Sequence, residues 1–291
     1  MYRLKYPTEQ SDPPLSPRET LPTMYDLPSE NHEENGVDQF HSFQSELLWL
    51  TFFPANYRSD RIFCASDLYL YYDVHHQNWY KRPDWFGVVG VPKLYDDQDL
   101  RLSYVIWQEG VSPHLVVELL SPSTEKEDLG ELRLSTSQNG ASQNGASQNG
   151  ASQNGNSQNG QSKKPPSKWE VYEKILRIPY YVIFSRYTDR MMVFTLESDR
   201  YVEQDLADSK IWMPEIELGI GLWQGRYKGV NRLWLRFYDA NNDWILTEAE
   251  QLELEKQFAQ QRAEQSELEK QLAEQRAESL AQRLRELGIE P

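Results

Sequence analysis

The sequence predicts an α/β domain followed by one long charged helix, and three observations carry that reading. Residues 114–120 read His-Leu-Val-Val-Glu-Leu-Leu, nearly continuous in apolar character, as expected of a central strand covered on both faces. Apolar residues at helical spacing stand on either side of it: Phe43, Leu47, Leu48 and Leu50 before, Trp169, Tyr172 and Leu176 after. Near the C-terminus, Glu253-Leu-Glu-Lys-Gln recurs as Glu267-Leu-Glu-Lys-Gln, a spacing of two heptads.

The elements follow in order. Residues 1–38 are rich in Pro, Ser, Glu and Asp and are expected to be disordered. Residues 41–53 suit an amphipathic helix that Pro54 ends. Strand-like runs follow at 61–73, 84–91, 103–107 and 114–120. Residues 137–161 repeat the unit Ser-Gln-Asn-Gly-X, which matches neither helix nor strand and offers nothing to a core. It reads as a flexible insertion. Ser167 with Glu170 three residues on forms a capping-box signature, predicting a helix over 168–177 that Pro179 closes. A hairpin is expected from 180–186 and 190–196, with 200–205 extending it. Residues 211–245, rich in Trp and Gly, are expected to form loops and short strands packed on the sheet. The domains are therefore 1–38, then 39–246 with the insertion, then 247–291. In the tail Leu254, Phe258, Leu268 and Leu272 share a seam that Gln261, Gln265 and Gln275 interrupt. A weak coiled coil supporting a homo-oligomer and a lone helix laced with i,i+4 pairs both fit.

Composition narrows the classes. With 38% hydrophobic residues among 291, a core is affordable, although the mean hydropathy is −0.75. The single cysteine, Cys64, excludes an internal disulfide and a thiolate zinc site, and its apolar surroundings suggest a buried, inert thiol. No apolar run has signal-peptide or membrane-spanning character, so a soluble, cytoplasmic protein without membrane contact is expected. The net charge of −15 disfavours nucleic-acid binding. Each flank, 1–41 and 247–291, carries −5 of it, and carboxylates of the remainder that held a metal would be neutralised.

Two carboxylates stand out. Asp84 follows Pro83 and opens one strand; Glu118 lies among Val116, Val117, Leu119 and Leu120 near the end of another. A buried acid demands a cation or a partner. Brought together, the pair would suit Mg²⁺ or Mn²⁺; a Glu paired with an Arg is the structural alternative. Metal-assisted phosphodiester hydrolysis also needs a group to orient water and offset charge. Lys168 can serve, or can be an ordinary solvated lysine. The histidines of His75-His76 read as a turn, and Trp212, Trp223, Trp234 and Trp244 as core in preference to base-stacking platforms.

Three segments resemble the putative restriction endonuclease family abundant in cyanobacteria, of the PD-(D/E)XK nuclease superfamily. They are Asp84 in Arg-Pro-Asp-Trp-Phe-Gly-Val-Val-Gly, Glu118 in Val-Val-Glu-Leu-Leu-Ser-Pro-Ser-Thr, and Lys168 in Lys-Trp-Glu-Val-Tyr-Glu followed by Ile-Pro-Tyr-Tyr-Val-Ile-Phe. The resemblance spans about residues 40–245. It implies a restriction-endonuclease-like central mixed sheet flanked by helices, and a metal-dependent endonuclease cleaving DNA. Asp84 and Glu118 would hold the metal, with the Leu119 carbonyl as a further ligand. Lys168 would orient the water, and Glu46 would match an accessory acid. One departure matters: the usual lysine position, two residues after the Glu, is Leu120. Lys168 or Lys126 must replace it. Tyr180 and Ser185 also stand where many relatives carry acids. An inactive nuclease-fold protein that recruits partners through its tail is the alternative function.

Overall fold

The structure, a computed structural model, describes residues 38–120, 128, 165–286 and 288. The expectations for the N-terminal segment, the Ser-Gln-Asn-Gly insertion and Lys126 lie outside the described residues. The chain divides into two units, 1–243 and 244–291.

In the first unit, helix α1 (Gln39–Thr51) precedes β1 (Ile62–Ala65), β2 (Leu70–Tyr71), β3 (Tyr80–Lys81), β4 (Trp85–Val89) and β5 (Tyr104–Val105). A short helix α2 (Ile106–Glu109) leads to β6 (Leu115–Leu119). Helix α3 (Lys168–Glu170) runs on into a π-helical turn, Val171–Ile175. Then come β7 (Tyr180–Ser185), β8 (Arg190–Glu197), β9 (Arg200–Glu203), β10 (Lys210–Met213), β11 (Leu218–Tyr227) and β12 (Val230–Tyr238).

A mixed sheet of order β1-β4-β6-β7-β8-β9 forms the centre. Its middle strand, β6, is antiparallel to β4 and parallel to β7, and every β6 residue is buried. That burial on both faces is the reason for its unbroken apolar run. One face carries Phe86, Val88, Val116, Tyr181 and Ile183, and Val171, Tyr172 and Leu176 of the helix after the insertion cover it. On the other face Trp85 and Phe184 meet α1 and β12: Phe40 lies 6.1 Å from Phe184, Phe52 5.1 Å from Trp85, and Trp85 5.7 Å from Phe237. Gln44 locks α1 in place, its side chain donating to the Leu235 carbonyl at 2.8 Å and accepting from the Leu235 N–H at 2.9 Å. A buried amide is tolerated because both its groups are satisfied.

Some expectations are corrected. Residues 103–107 are strand only at β5, because Ile106 begins the helical turn that Gly110 closes at φ +72°. Residues 211–245 are largely a regular antiparallel sheet, β10-β11-β12, not loops and short strands. Its glycines obscure the strand signal, yet they make room for rings: a Cβ on Gly219 would sit 2.1 Å from the Tyr238 ring.

The second unit is mainly helix α4 (Glu248–Glu286), none of whose residues is buried. Thr247 caps it reciprocally with Glu250, accepting from the Glu250 N–H while Glu250 accepts from the Thr247 N–H at 2.8 Å. Leu254, Phe258, Leu268 and Leu272 are exposed along it.

Candidate active site

Sheet register builds the site. Trp85 pairs with Val117 across the antiparallel β4–β6 ladder. One step further sets Asp84 opposite Glu118, and strand alternation turns both to the face that α3 covers. The two residues interlock: the Leu119 N–H donates to Asp84 Oδ2 at 2.6 Å, and the Asp84 N–H reaches Glu118 Oε2 at 3.4 Å. Glu118 is fully buried, whereas the Asp84 side chain keeps 20% exposure. The site therefore opens to solvent at Asp84.

Helix α3 supplies the cation. Ser167 and Glu170 complete the capping box, which sets Lys168 as the first helical residue. Lys168 Nζ donates to Glu118 Oε2 at 3.1 Å and to Asp128 Oδ1 at 2.8 Å. Tyr172, four residues on and so on the same helix face, donates its hydroxyl to Glu118 Oε1 at 2.9 Å. Tyr181 donates to the Asp128 carbonyl at 2.9 Å. The sequence reading missed Asp128, Tyr172 and Tyr181 as site residues. The Lys-Trp-Glu-Val-Tyr spacing could have found Tyr172, but nothing local marks Asp128.

Three carboxylates thus gather about one lysine in a largely buried site. Burial, reinforced by Asp84 and Asp128, pushes the Glu118 carboxyl well above its ordinary value, with Lys168 opposing. Burial also raises Asp84, offset by Lys168, His41 and the Leu119 N–H. For Lys168 burial acts against the charge, yet Glu118, Asp128 and Asp84 outweigh it and hold the ammonium well above its usual value. Lys168 is therefore a fixed cation and not a base at neutral pH.

The α1 side adds a histidine that the sequence reading did not single out. His41 Nδ1 lies 2.8 Å from Asp38 Oδ1, while Nε2 lies 3.2 Å from the Leu119 carbonyl and 3.8 Å from Asp84 Oδ2. Both nitrogens thus face oxygen atoms. Ser45, one turn further, donates to the Asp84 carbonyl at 3.3 Å. A cleft of about 340 Å³ lies alongside, lined by His41, Ser45, Glu46, Trp49 and Asp67 among others. Glu46 stands on this wall, not in the carboxylate cluster, and pairs with Lys228 at 2.6 Å.

A family model, Uma2, described as putative restriction endonuclease, matches residues 19–226. The chain belongs to this family. Uma2 proteins are part of the PD-(D/E)XK nuclease superfamily, so membership points to a nuclease, a hydrolase acting on nucleic acid. A search of curated proteins finds no match. The Uma2 match takes in the whole carboxylate–lysine cluster and ends within β11. Among the described residues no helix is long and apolar enough to cross a membrane.

The structure accounts for the Leu120 departure. Leu120 is buried in the core cluster, and its N–H donates to the Phe184 carbonyl at 2.8 Å. The position is spent on packing, and Lys168 reaches the same Glu from the helix. Tyr180 instead donates to Glu215 at 2.8 Å, and Ser185 is buried at the end of β7. His76 stacks on Trp79 at 3.8 Å in its turn, apart from the site. Burial pushes the Cys64 thiol up to about 12, so it is an inert group.

Among the described residues no three His, Cys, Asp or Glu side chains are grouped to hold a metal. The donor chemistry nevertheless suits a hard divalent cation. Asp84 and Glu118 offer carboxylate oxygens, and the carbonyl of Leu119, the last residue of β6, faces His41 Nε2. A cation bound here would favour the charged form of these two raised carboxyl groups.

Proposed function

We propose that this chain is a Mg²⁺- or Mn²⁺-dependent endonuclease that hydrolyses phosphodiester bonds of DNA. The observation that carries the reading is the meeting of Asp84, Glu118 and Lys168 at one strand end, with an opening at Asp84. Asp84 and Glu118 would hold the cation, together with the Leu119 carbonyl. Bound there, it would supply charge neutralisation and Lewis acidity to the phosphodiester.

The chain's own residues do the rest. Lys168, anchored by Glu118 and Asp128, directs a remaining N–H toward the attacking water and the developing phosphate charge. Tyr172 fixes the Glu118 carboxylate. His41 and Ser45 hold the Leu119 and Asp84 main chain. Glu46, on the cleft wall, is an accessory acid that reaches the site only by leaving Lys228.

The test is cleavage of plasmid, single-stranded DNA and RNA with Mg²⁺ or Mn²⁺, beside Asp84→Ala and Glu118→Ala. Wild-type cleavage lost in both variants is expected. A wild type that cuts nothing, or variants that cut equally well, would overturn the proposal. A second reading concerns the tail: exposed Leu254, Phe258, Leu268 and Leu272, repeating at fourteen residues, support weak self-association through α4.

A further inference from the structure

A chain of net charge −15 must meet nucleic-acid phosphates locally. One place beside the site is built for that. Leu119 pairs with Phe184 in the parallel β6–β7 ladder. Arg186, just past β7, therefore leaves the sheet at the edge that carries Glu118 and Leu119. Arg232 of β12 donates to the Arg186 carbonyl at 3.2 Å, which sets its guanidinium beside the Arg186 main chain. Both guanidinium groups lie against the Phe40 ring, at 5.3 Å for Arg186 and 4.4 Å for Arg232. Phe40 is itself backed by Trp234, stacked at 5.6 Å. Aromatic backing holds the guanidinium groups before any ligand arrives.

The position relative to the site is set by one acid. Asp38 pairs with Arg186 and also with His41, whose other nitrogen faces Leu119 and Asp84. The arginines are thus one carboxylate and one imidazole away from Asp84. Asp38 answers Arg186, whereas among the described residues no carboxylate stands at ion-pair distance from Arg232, so a phosphate would find its charge partner in Arg232 beside the Arg186–Asp38 pair. Burial, then the neighbouring Arg186, lowers the Arg232 guanidinium from its usual value, while Asp189 and Asp38 only partly compensate.

We propose that Arg186 and Arg232 form a seat for one phosphate of the substrate strand, next to the phosphodiester that is cleaved. The proposal rests on the nuclease reading above. A planar, doubly donating guanidinium pair suits a phosphate oxygen pair, and the contact carries no base preference.

Binding to labelled duplex DNA, single-stranded DNA and RNA should be measured by fluorescence anisotropy, with full-length protein in EDTA, over a series of salt concentrations. Arg186→Gln/Arg232→Gln is expected to bind every sequence more weakly, and its slope of log affinity against log salt on duplex should be shallower by about 0.9, one phosphate. Arg186→Lys/Arg232→Lys keeps both charges and should keep the slope while losing affinity. Circular dichroism verifies that each variant is folded; should the Gln pair not fold, the Lys pair decides, and wild-type affinity in it overturns the seat. A folded Gln variant with wild-type slope and affinity overturns this inference alone. A wild type that binds none of the three nucleic acids overturns the seat, while the nuclease reading stands or falls with the cleavage assay.

Discussion

Asp84 and Lys168 are neighbours in the cluster but should respond to substitution with opposite signs. Burial raises the Asp84 carboxyl above its ordinary 3.8, so the folded metal-free protein pays for its charge at neutral pH. Asp84→Asn keeps an oxygen for the Leu119 N–H and removes that charge. We expect it to raise the melting temperature by roughly 2–4 °C at pH 7, about 1 kcal/mol, while abolishing cleavage. The sign follows from linkage: below 3.8 the acid is protonated in both states and the gain vanishes; it grows as pH rises toward the folded-state value. Scanning calorimetry from pH 3 to 7 checks it, and a lower melting temperature at pH 7 would contradict the charge argument. Lys168→Met instead leaves Glu118 and Asp128 buried without their cation. A loss of about 3 kcal/mol in urea unfolding at pH 7 is expected, shrinking as acid protonates the carboxylates. This scale was partly legible beforehand. Glu118 was conspicuous because a lone acid among aliphatics is expensive. Asp128 and His41 were not, because each acquires its meaning only from partners 40 and 78 residues away.

At the level of elements, α3 is the piece that positions chemistry. Its capping box was visible in the spacing of Ser167 and Glu170, and the structure has it. The change to π-helix at Val171 was not, since the same residues propagate either turn and the packing against the sheet chooses. Ser167→Ala should cost about 1 kcal/mol of stability by thermal melting. Because the cap sets the residue next to it, cleavage should fall as well, and rescue by Ser167→Asp would separate capping from any role of the hydroxyl. The three-stranded sheet was hidden for a different reason. Gly219 weakens every strand criterion, yet the Tyr238 ring occupies the space its missing side chain leaves. Gly219→Ala is accordingly expected to destabilise by about 1–3 kcal/mol in chemical denaturation, by forcing that ring aside.

For the molecule as a whole, the tail and the charge set the remaining expectations. Self-association through α4 predicts that the full chain has a larger mass per particle in light scattering than a chain ending at Asp243, relative to monomer. Equal monomeric masses would remove the proposal; the glutamines within the seam already argue that any association is weak. What the sequence determined by itself was whatever is written in local periodicity: the buried strand around Glu118, helix α1, the capped start of α3, the hairpin of β7 and β8, and the long charged helix. The tertiary structure alone decided which charges meet. Register across β4 and β6 set Asp84 opposite Glu118, the fold brought Asp128 and, from beyond the insertion, Lys168 to them, and it kept Glu46 on the cleft wall with Lys228. The reason is physical. Apolar patterning repeats along the chain and can be read there, whereas an ion pair is a relation between distant segments that exists only once burial has fixed their register.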